Sequence, residues 1–224
     1  MLERLKREFL AANHYPRNFG LLGIGAVLFF VFLGTLFLEL EGVLTRFDPQ
    51  ATQLFQSFGH RNLDMPLSFL SLLGSFEITV LFLAVLGGWV YIRTKKIYYA
   101  LGFFFMILVF EFIGKLFLYH PSPPSDYFRY SLPFSFPTSY VQTSFSFPSG
   151  HMSRTIYLSV LGSGLAAHFI KNKKQAWLIA GLLFTNVVLM FYSPVYLGGH
   201  WLSDVIGGLF LGSAFAFMTL AYLK

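Results

Sequence analysis

Six apolar runs, each about as long as the 20 or so helical residues that a bilayer crossing takes, dominate the chain. They fall at about 20–42, 68–92, 97–119, 152–170, 176–197 and 201–222. Lipid offers backbone N–H and C=O groups no partner, so each run must close its hydrogen bonds internally as a helix. The expected fold is therefore all-α, a six-transmembrane-helix bundle. Only 12% of the 224 residues are charged and the mean hydropathy is +0.62, whereas a soluble domain carries about 25% charged residues. A single integral membrane domain over 1–224 is expected, with residues 68–222 as its functional core. Ahead of the first run, Leu2, Leu5, Phe9 and Leu10 recur at helical spacing with Arg4, Lys6 and Arg7 between them, the pattern of a short N-terminal interfacial helix. The first run itself has no small-residue cleavage site before Glu39 and is expected to be retained.

The charges fix an orientation. Arg4, Lys6, Arg7 and Arg17 precede span one; Arg93, Lys95 and Lys96 separate spans two and three; Lys171, Lys173 and Lys174 separate four and five; Lys224 follows six. The alternate loops carry only Arg46, Arg61 and Arg129. The positive-inside rule then puts both termini in the cytoplasm and the loops after spans one, three and five outside. The net charge of +6 is distributed over span ends and forms no stripe, so topology explains it and nucleic acid is not an expected partner. With no cysteine there is neither a disulfide framework nor a thiolate metal site. Compact loops and the absence of N-x-[ST] point to a bacterial inner membrane. No pair of broken mid-membrane spans suggests a transporter.

Ionisable side chains inside spans are expensive and mark functional sites by default. Lys115 lies near the outer end of span three, His151 opens span four, Arg154 is three residues deeper, His200 precedes span six and Asp204 is one turn inside it. All five fall at one depth, so the outer ends of spans three, four and six can converge on one pocket. His200 and Asp204 at i and i+4 share a helix face; a carboxylate holding one imidazole nitrogen protonated leaves the other free to attack. An interfacial histidine beside a capping aspartate would show the same spacing. Lys115 can supply charge for a phosphate, or it can pair with Glu111 four residues earlier. Pro148, Ser149, Gly150 and His151 stand where a Pro-, Ser- and Phe-rich outer loop at 120–150 becomes span four. A helix N-terminus of that kind offers free N–H groups to an anion, and Gly150 permits close approach. The loop reads equally as an aromatic interfacial segment or as a lid over the site. Gly208 and Gly212 form a G-x-x-x-G pair suited to close helix packing.

These residues together resemble the type 2 phosphatidic acid phosphatase family, membrane relatives of bacterial acid phosphatases and vanadium haloperoxidases. The family's three ordered motifs are K-x6-R-P, P-S-G-H and S-R-x5-H-x3-D. Here they read Lys115-LFLYHP-Ser122-Pro123, then Pro148-Ser149-Gly150-His151, then Ser193-Pro194-VYLGG-His200-WLS-Asp204. Order and spacing are kept, and the segment at 47–75 is similar to the family's lead into span two. The resemblance implies a metal-independent hydrolysis of a lipid phosphate or diphosphate, of undecaprenyl diphosphate, phosphatidylglycerol phosphate or phosphatidate type. His200 would attack phosphorus, Asp204 would orient it and His151 would protonate the leaving oxygen. Lys115, Ser149 and Gly150 would bind the phosphoryl oxygens. No cofactor is implied, and the expected partners are the lipid substrate and membrane lipids.

Two motif arginines are replaced, by Ser122 and Pro194. Each charge-assisted hydrogen bond is worth about 1.5–3 kcal/mol, so losing both would cost on the order of 10²–10⁴ in transition-state binding unless replaced. Arg154, i+3 from His151, is the expected replacement at the phosphate, with His120 a second candidate; Arg154 could instead pair with Asp204 or a loop carbonyl. The alternative function is a degenerate relative that binds lipid phosphates, or another membrane protein, without hydrolysis.

Overall fold

The computed structural model describes residues 18–134 and 145–223. The expected N-terminal interfacial helix and the middle of the outer loop lie outside the described residues. Eight α-helices are described: α1 (Phe19–Leu40), α2 (Asp48–Ser57), α3 (Asp64–Ser71), α4 (Phe76–Thr94), α5 (Ile97–Phe117), α6 (Gly150–Phe169), α7 (Lys173–Tyr196) and α8 (Leu202–Leu223). No strand is present among the described residues, so the all-α expectation holds.

Five helices, α1, α4, α5, α7 and α8, are long and apolar enough to cross a membrane. The sixth expected span, α6, is 20 residues long but carries Ser153, Arg154, Thr155 and Ser159, all buried. It can be polar because it is not turned to lipid. α6 packs against α4, α5, α7 and α8, and α8 packs against α1, α5 and α6. The most apolar window of α8 is 67% buried, against 17–22% in the other four, so α6 and α8 form the centre and the rest surround them. The glycine pair predicted for close packing makes this possible: a Cβ on Gly208 would lie 2.5 Å from the Ser149 carbonyl oxygen, and one on Gly212 would overlap the Ser153 carbonyl oxygen. Apolar contacts among Phe32, Phe104, Ile107, Phe147, Tyr157, Leu161 and Phe215 fill the space between α1, α5, α6 and α8.

The second apolar run does not start as one helix at residue 68. α3 ends at Ser71, a 3₁₀ turn covers Leu72–Gly74, and Ser75 caps a new helix, its Oγ accepting from Ile78 N. Hydropathy runs through this break unaltered, which is why the run reads as continuous. The break has two structural uses. Gly74 O accepts from Arg154 Nη2 at 3.1 Å, and a Cβ at Gly74 would press on His151 at 3.0 Å.

After α5 the chain is irregular, as its prolines require, apart from a 3₁₀ turn at Ser125–Tyr127 and a bridge between Pro121 and Phe145. Trp201 Nε1 donates to Pro121 O at 2.7 Å and Arg129 N to Leu197 O at 2.9 Å, which ties this segment to the turn before α8.

Candidate active site

The ends of α5, α6 and α8 that carry the three motifs meet. Ser149 is the N-cap of α6: its Oγ accepts from Met152 N at 3.4 Å, so its hydroxyl hydrogen stays available, and its backbone N–H donates to Asp204 O at 2.9 Å. That last bond joins the second motif to the third. The free N–H groups of the first α6 turn, including that of Gly150, sit at the positive end of a 20-residue helix, the arrangement that suits an anion.

His200 lies just before α8, in a turn closed by Pro194 O, which accepts from Gly199 N at 2.9 Å and His200 N at 3.2 Å. Gly198 takes φ +68°, and a Cβ there would clash with Tyr127. This turn places His200 Nδ1 3.2 Å from Asp204 Oδ2, and the same oxygen accepts from Trp201 N at 3.0 Å. Asp204 is therefore both orienter and cap, so the two readings of this pair are not exclusive. With Nδ1 held, the Nε2 of His200 is the nitrogen free to react. His151, in the first turn of α6, faces it: the two ring centroids are 5.8 Å apart at 64°. His151 is within electrostatic reach of His200, Arg154 and Lys115.

Lys115 sits in the last turn of α5 and feels the charges of Glu111, Arg154 and Asp204. It makes no ion pair or side-chain hydrogen bond with a described residue, and the Glu111 partnership expected from i, i+4 spacing does not form. Glu111 is taken by α6. Its Oε2 accepts from Arg154 Nη1 at 2.5 Å and its Oε1 from the Ser153 hydroxyl. Arg154 also donates from Nε to Thr79 Oγ1 at 3.2 Å and from Nη2 to Gly74 O. Three of its five N–H groups are thus committed to protein, and a Cβ on Gly150 would collide with the guanidinium. Arg154 lies directly beneath the backbone that would hold an anion. Among the described residues it pairs with neither Asp204 nor the outer loop.

Of the two replaced arginines, Ser122 is exposed, and Pro194 is buried near the end of α7 where it shapes the His200 turn. Sequence reasoning missed two members of the neighbourhood, Glu39 and Asp48. Both are buried and both approach His120, which itself reaches Asp204 Oδ1 at 3.3 Å. An ionisable Glu39 inside span one was a usable signal; Asp48, in a short helix after it, had none.

The arrangement can therefore accept an anion at a helix N-terminus, with a histidine on each side and a lysine nearby. A family model of the PAP2 superfamily matches residues 97–224, more than half of the chain. Phosphatidylglycerophosphatase B of Bacillus subtilis is 41% identical over 81 residues, which are 34% of this chain and 38% of that protein. Undecaprenyl-diphosphatase of Sulfolobus acidocaldarius is 31% identical over 110 residues, 49% of this chain and 40% of that protein. The matches thus span about two-fifths of each relative's length. Among solved structures, the fold is similar to the crystal structure of a transmembrane PAP2 type phosphatidylglycerolphosphate phosphatase from Bacillus subtilis, with a TM-score of 0.68 at 20% identity, over 87% of this chain and 93% of that one. The resemblance drawn from the three motifs holds: this chain is an all-helical integral membrane protein and belongs to the PAP2 superfamily.

Proposed function

We propose that the chain is a lipid phosphate or diphosphate phosphatase that works through a phosphohistidine, with α6 as a sixth span and the site facing outward from a bacterial inner membrane. The observation that carries this reading is the His200–Asp204 pair, 3.2 Å apart, with His151 opposite at a ring separation of 5.8 Å and the N-terminus of α6 between the elements that hold them.

In the first step His200 Nε2 attacks phosphorus, the bond from phosphorus to the leaving oxygen breaks, and His151 gives that oxygen its proton. In the second, water attacks phosphorus, its proton passes to His151, the N–P bond breaks and phosphate leaves. The transferring group carries its charge on the equatorial oxygens, so catalysis rests on positioning and on donors around them. Lys115, the Ser149 hydroxyl and the Gly150 N–H supply those donors. Arg154 forms the floor: its charge is shared with Glu111, and two N–H groups remain for phosphate after Thr79, Glu111 and Gly74 are served. A cavity of about 380 Å³ between α4, α6 and α7 starts at Thr79 and Thr155, near that guanidinium, and runs along Phe82, Leu158 and Leu183. Its apolar walls suit a lipid chain. The matched relatives, named for lipid phosphate substrates, favour the same class.

A non-hydrolytic lipid-phosphate binder is the second reading, favoured by the ion pair that holds Arg154 on Glu111. Phosphate release from a panel of lipid mono- and diphosphates, by purified protein and its His200→Ala variant, separates the two. Turnover that vanishes in the variant is the expected result. No release from any lipid by folded parent protein would favour the binder.

A further inference from the structure

Behind the reacting histidines lies a buried ionisable cluster that the phosphoryl-transfer scheme leaves unused. His120, 1% exposed, follows α5. Its Nδ1 is 2.6 Å from Glu39 Oε1 on the last turn of α1. Its Nε2 is 3.3 Å from Asp204 Oδ1, 3.3 Å from Ser203 Oγ and 3.7 Å from Asp48 Oδ2. Asp48, which opens α2, accepts the Ser203 N–H at 2.9 Å and the Ser203 hydroxyl at 2.6 Å, and Glu39 accepts the Thr45 hydroxyl. Three carboxylates thus surround one imidazole, all buried.

Burying such charges is costly unless they are compensated. Glu39, Asp48 and His120 have ligand atoms close enough to hold a metal ion. The 2.6 Å approach of Nδ1 to Glu39 is that of an imidazolium–carboxylate ion pair, without a formed hydrogen bond, and is shorter than the roughly 3.3 Å between two ligands each about 2.0 Å from a tetrahedral zinc. Both Asp48 oxygens are also already taken by Ser203. A proton on the imidazole fits better than a metal.

We propose that His120 is a positioning residue of the phosphatase site: ion-paired with Glu39 at one ring nitrogen, it faces Asp204 Oδ1 at 3.3 Å with the other and by its charge fixes the carboxylate that orients His200. The proposal rests on the phosphatase reading. The resulting chain, Glu39–His120–Asp204–His200, carries a contact from α1 to Nδ1 of the attacking histidine. The charged groups facing His120 are Glu39 from α1, Asp48 from α2 and Asp204 from α8; on its own side, Lys115 couples to Glu111, Arg154 and Asp204.

Protonation makes this device pH-dependent. Burial opposes the charge on His120, but the close contact with Glu39 and the charges of Asp204, Glu39 and Asp48 outweigh it and raise the pKa above the ordinary 6.5. Burial pushes the Asp48 carboxyl up to about 6, so it ionises only above that. For a histidine whose folded pKa is raised, the stabilising contribution is complete below 6.5 and is lost as pH climbs through the folded value. Deprotonation then leaves Asp204 Oδ1 buried without its cation.

The test compares kcat, KM and melting temperature across about pH 6 to 9.5 for the parent, His120→Gln, His120→Arg and Glu39→Gln. The parent's kcat and melting temperature are expected to fall on the alkaline side while KM stays flat. His120→Gln is expected to lose roughly 10- to 100-fold in kcat and, while keeping the alkaline limb that His151 sets as proton donor, to lose the alkaline fall in melting temperature. His120→Arg, whose guanidinium does not titrate here, is expected to recover part of that kcat, also without the alkaline fall in melting temperature. A kcat and a melting profile unchanged in His120→Gln would overturn the proposal. So would one equivalent of divalent metal carried by the purified parent and lost in Glu39→Gln. A parent inactive on every lipid phosphate would remove the phosphatase reading instead, and the melting profiles would still decide whether His120 is the titrating cation.

Discussion

Asp204 divides its carboxylate between two histidines: Oδ2 lies 3.2 Å from His200 Nδ1, and Oδ1 lies 3.3 Å from His120 Nε2. Oδ2 also accepts the Trp201 N–H at 3.0 Å, so the side chain has little freedom to turn. In Asp204→Asn only one oxygen remains. If it keeps Trp201, the amide N–H₂ faces His120, and the pull of a full carboxylate on His200 Nδ1–H is lost. If the amide turns, its N–H₂ faces His200 and forces the tautomer whose Nε2 carries the proton. Turnover is expected to fall by roughly 10⁴, the size of the corresponding loss in a serine-protease triad, with the protein still folded. Phosphate-release rates set beside circular dichroism check both halves of that statement.

Lys115 differs from its neighbours in making no ion pair or side-chain hydrogen bond with a described residue, though it lies within reach of three charges. Such a lysine is placed to meet an anionic substrate. Lys115→Ala is expected to lower kcat/KM about 10- to 100-fold with a stability change within about 0.5 kcal/mol. Steady-state kinetics and thermal melting of the variant read the two effects separately.

The Glu111–Arg154 pair is the opposite case, buried and joined at 2.5 Å. Removing either partner leaves a charge without compensation and is expected to cost about 3–5 kcal/mol. Replacing both, as Glu111→Leu with Arg154→Met, is expected to recover a large part of that loss. A double-mutant cycle on denaturation free energies measures the coupling, and additive costs would show that the pair is not a unit.

Helix packing offers a matched comparison. Gly212 lies against the backbone of α6, whereas a Cβ added at Gly88 in α4 would meet nothing within 4 Å. Gly212→Ala is expected to destabilise by about 1–3 kcal/mol or more. Gly88→Ala is expected to be neutral or to gain up to about 1 kcal/mol from helix propensity. Melting temperatures in one detergent provide the readout.

How much of this was legible in the chain depends on whether local or distant contacts decide each feature. His200, Asp204, His151 and Ser149 were readable because ionisable groups at the ends of apolar runs are expensive, and because i, i+4 spacing and an N-cap are local geometry. The partner of Glu111 was not readable. Spacing pointed to Lys115, but a guanidinium arriving from α6 with better hydrogen-bond geometry took the carboxylate. The same holds for His120, whose three carboxylates come from α1, α2 and α8; no single segment announces them. The break at Gly74 and Ser75 was hidden because hydropathy is blind to a cap inside an apolar run. The polar character of α6 was explained only by its place at the centre of the bundle.

The most direct test of the phosphohistidine proposal is to quench the protein during turnover of a ³²P-labelled lipid phosphate and map the label. Acid-labile, base-stable label on the peptide that contains His200, absent in His200→Ala, is the predicted result. Steady turnover with no label on His200, or label on His151, would contradict it.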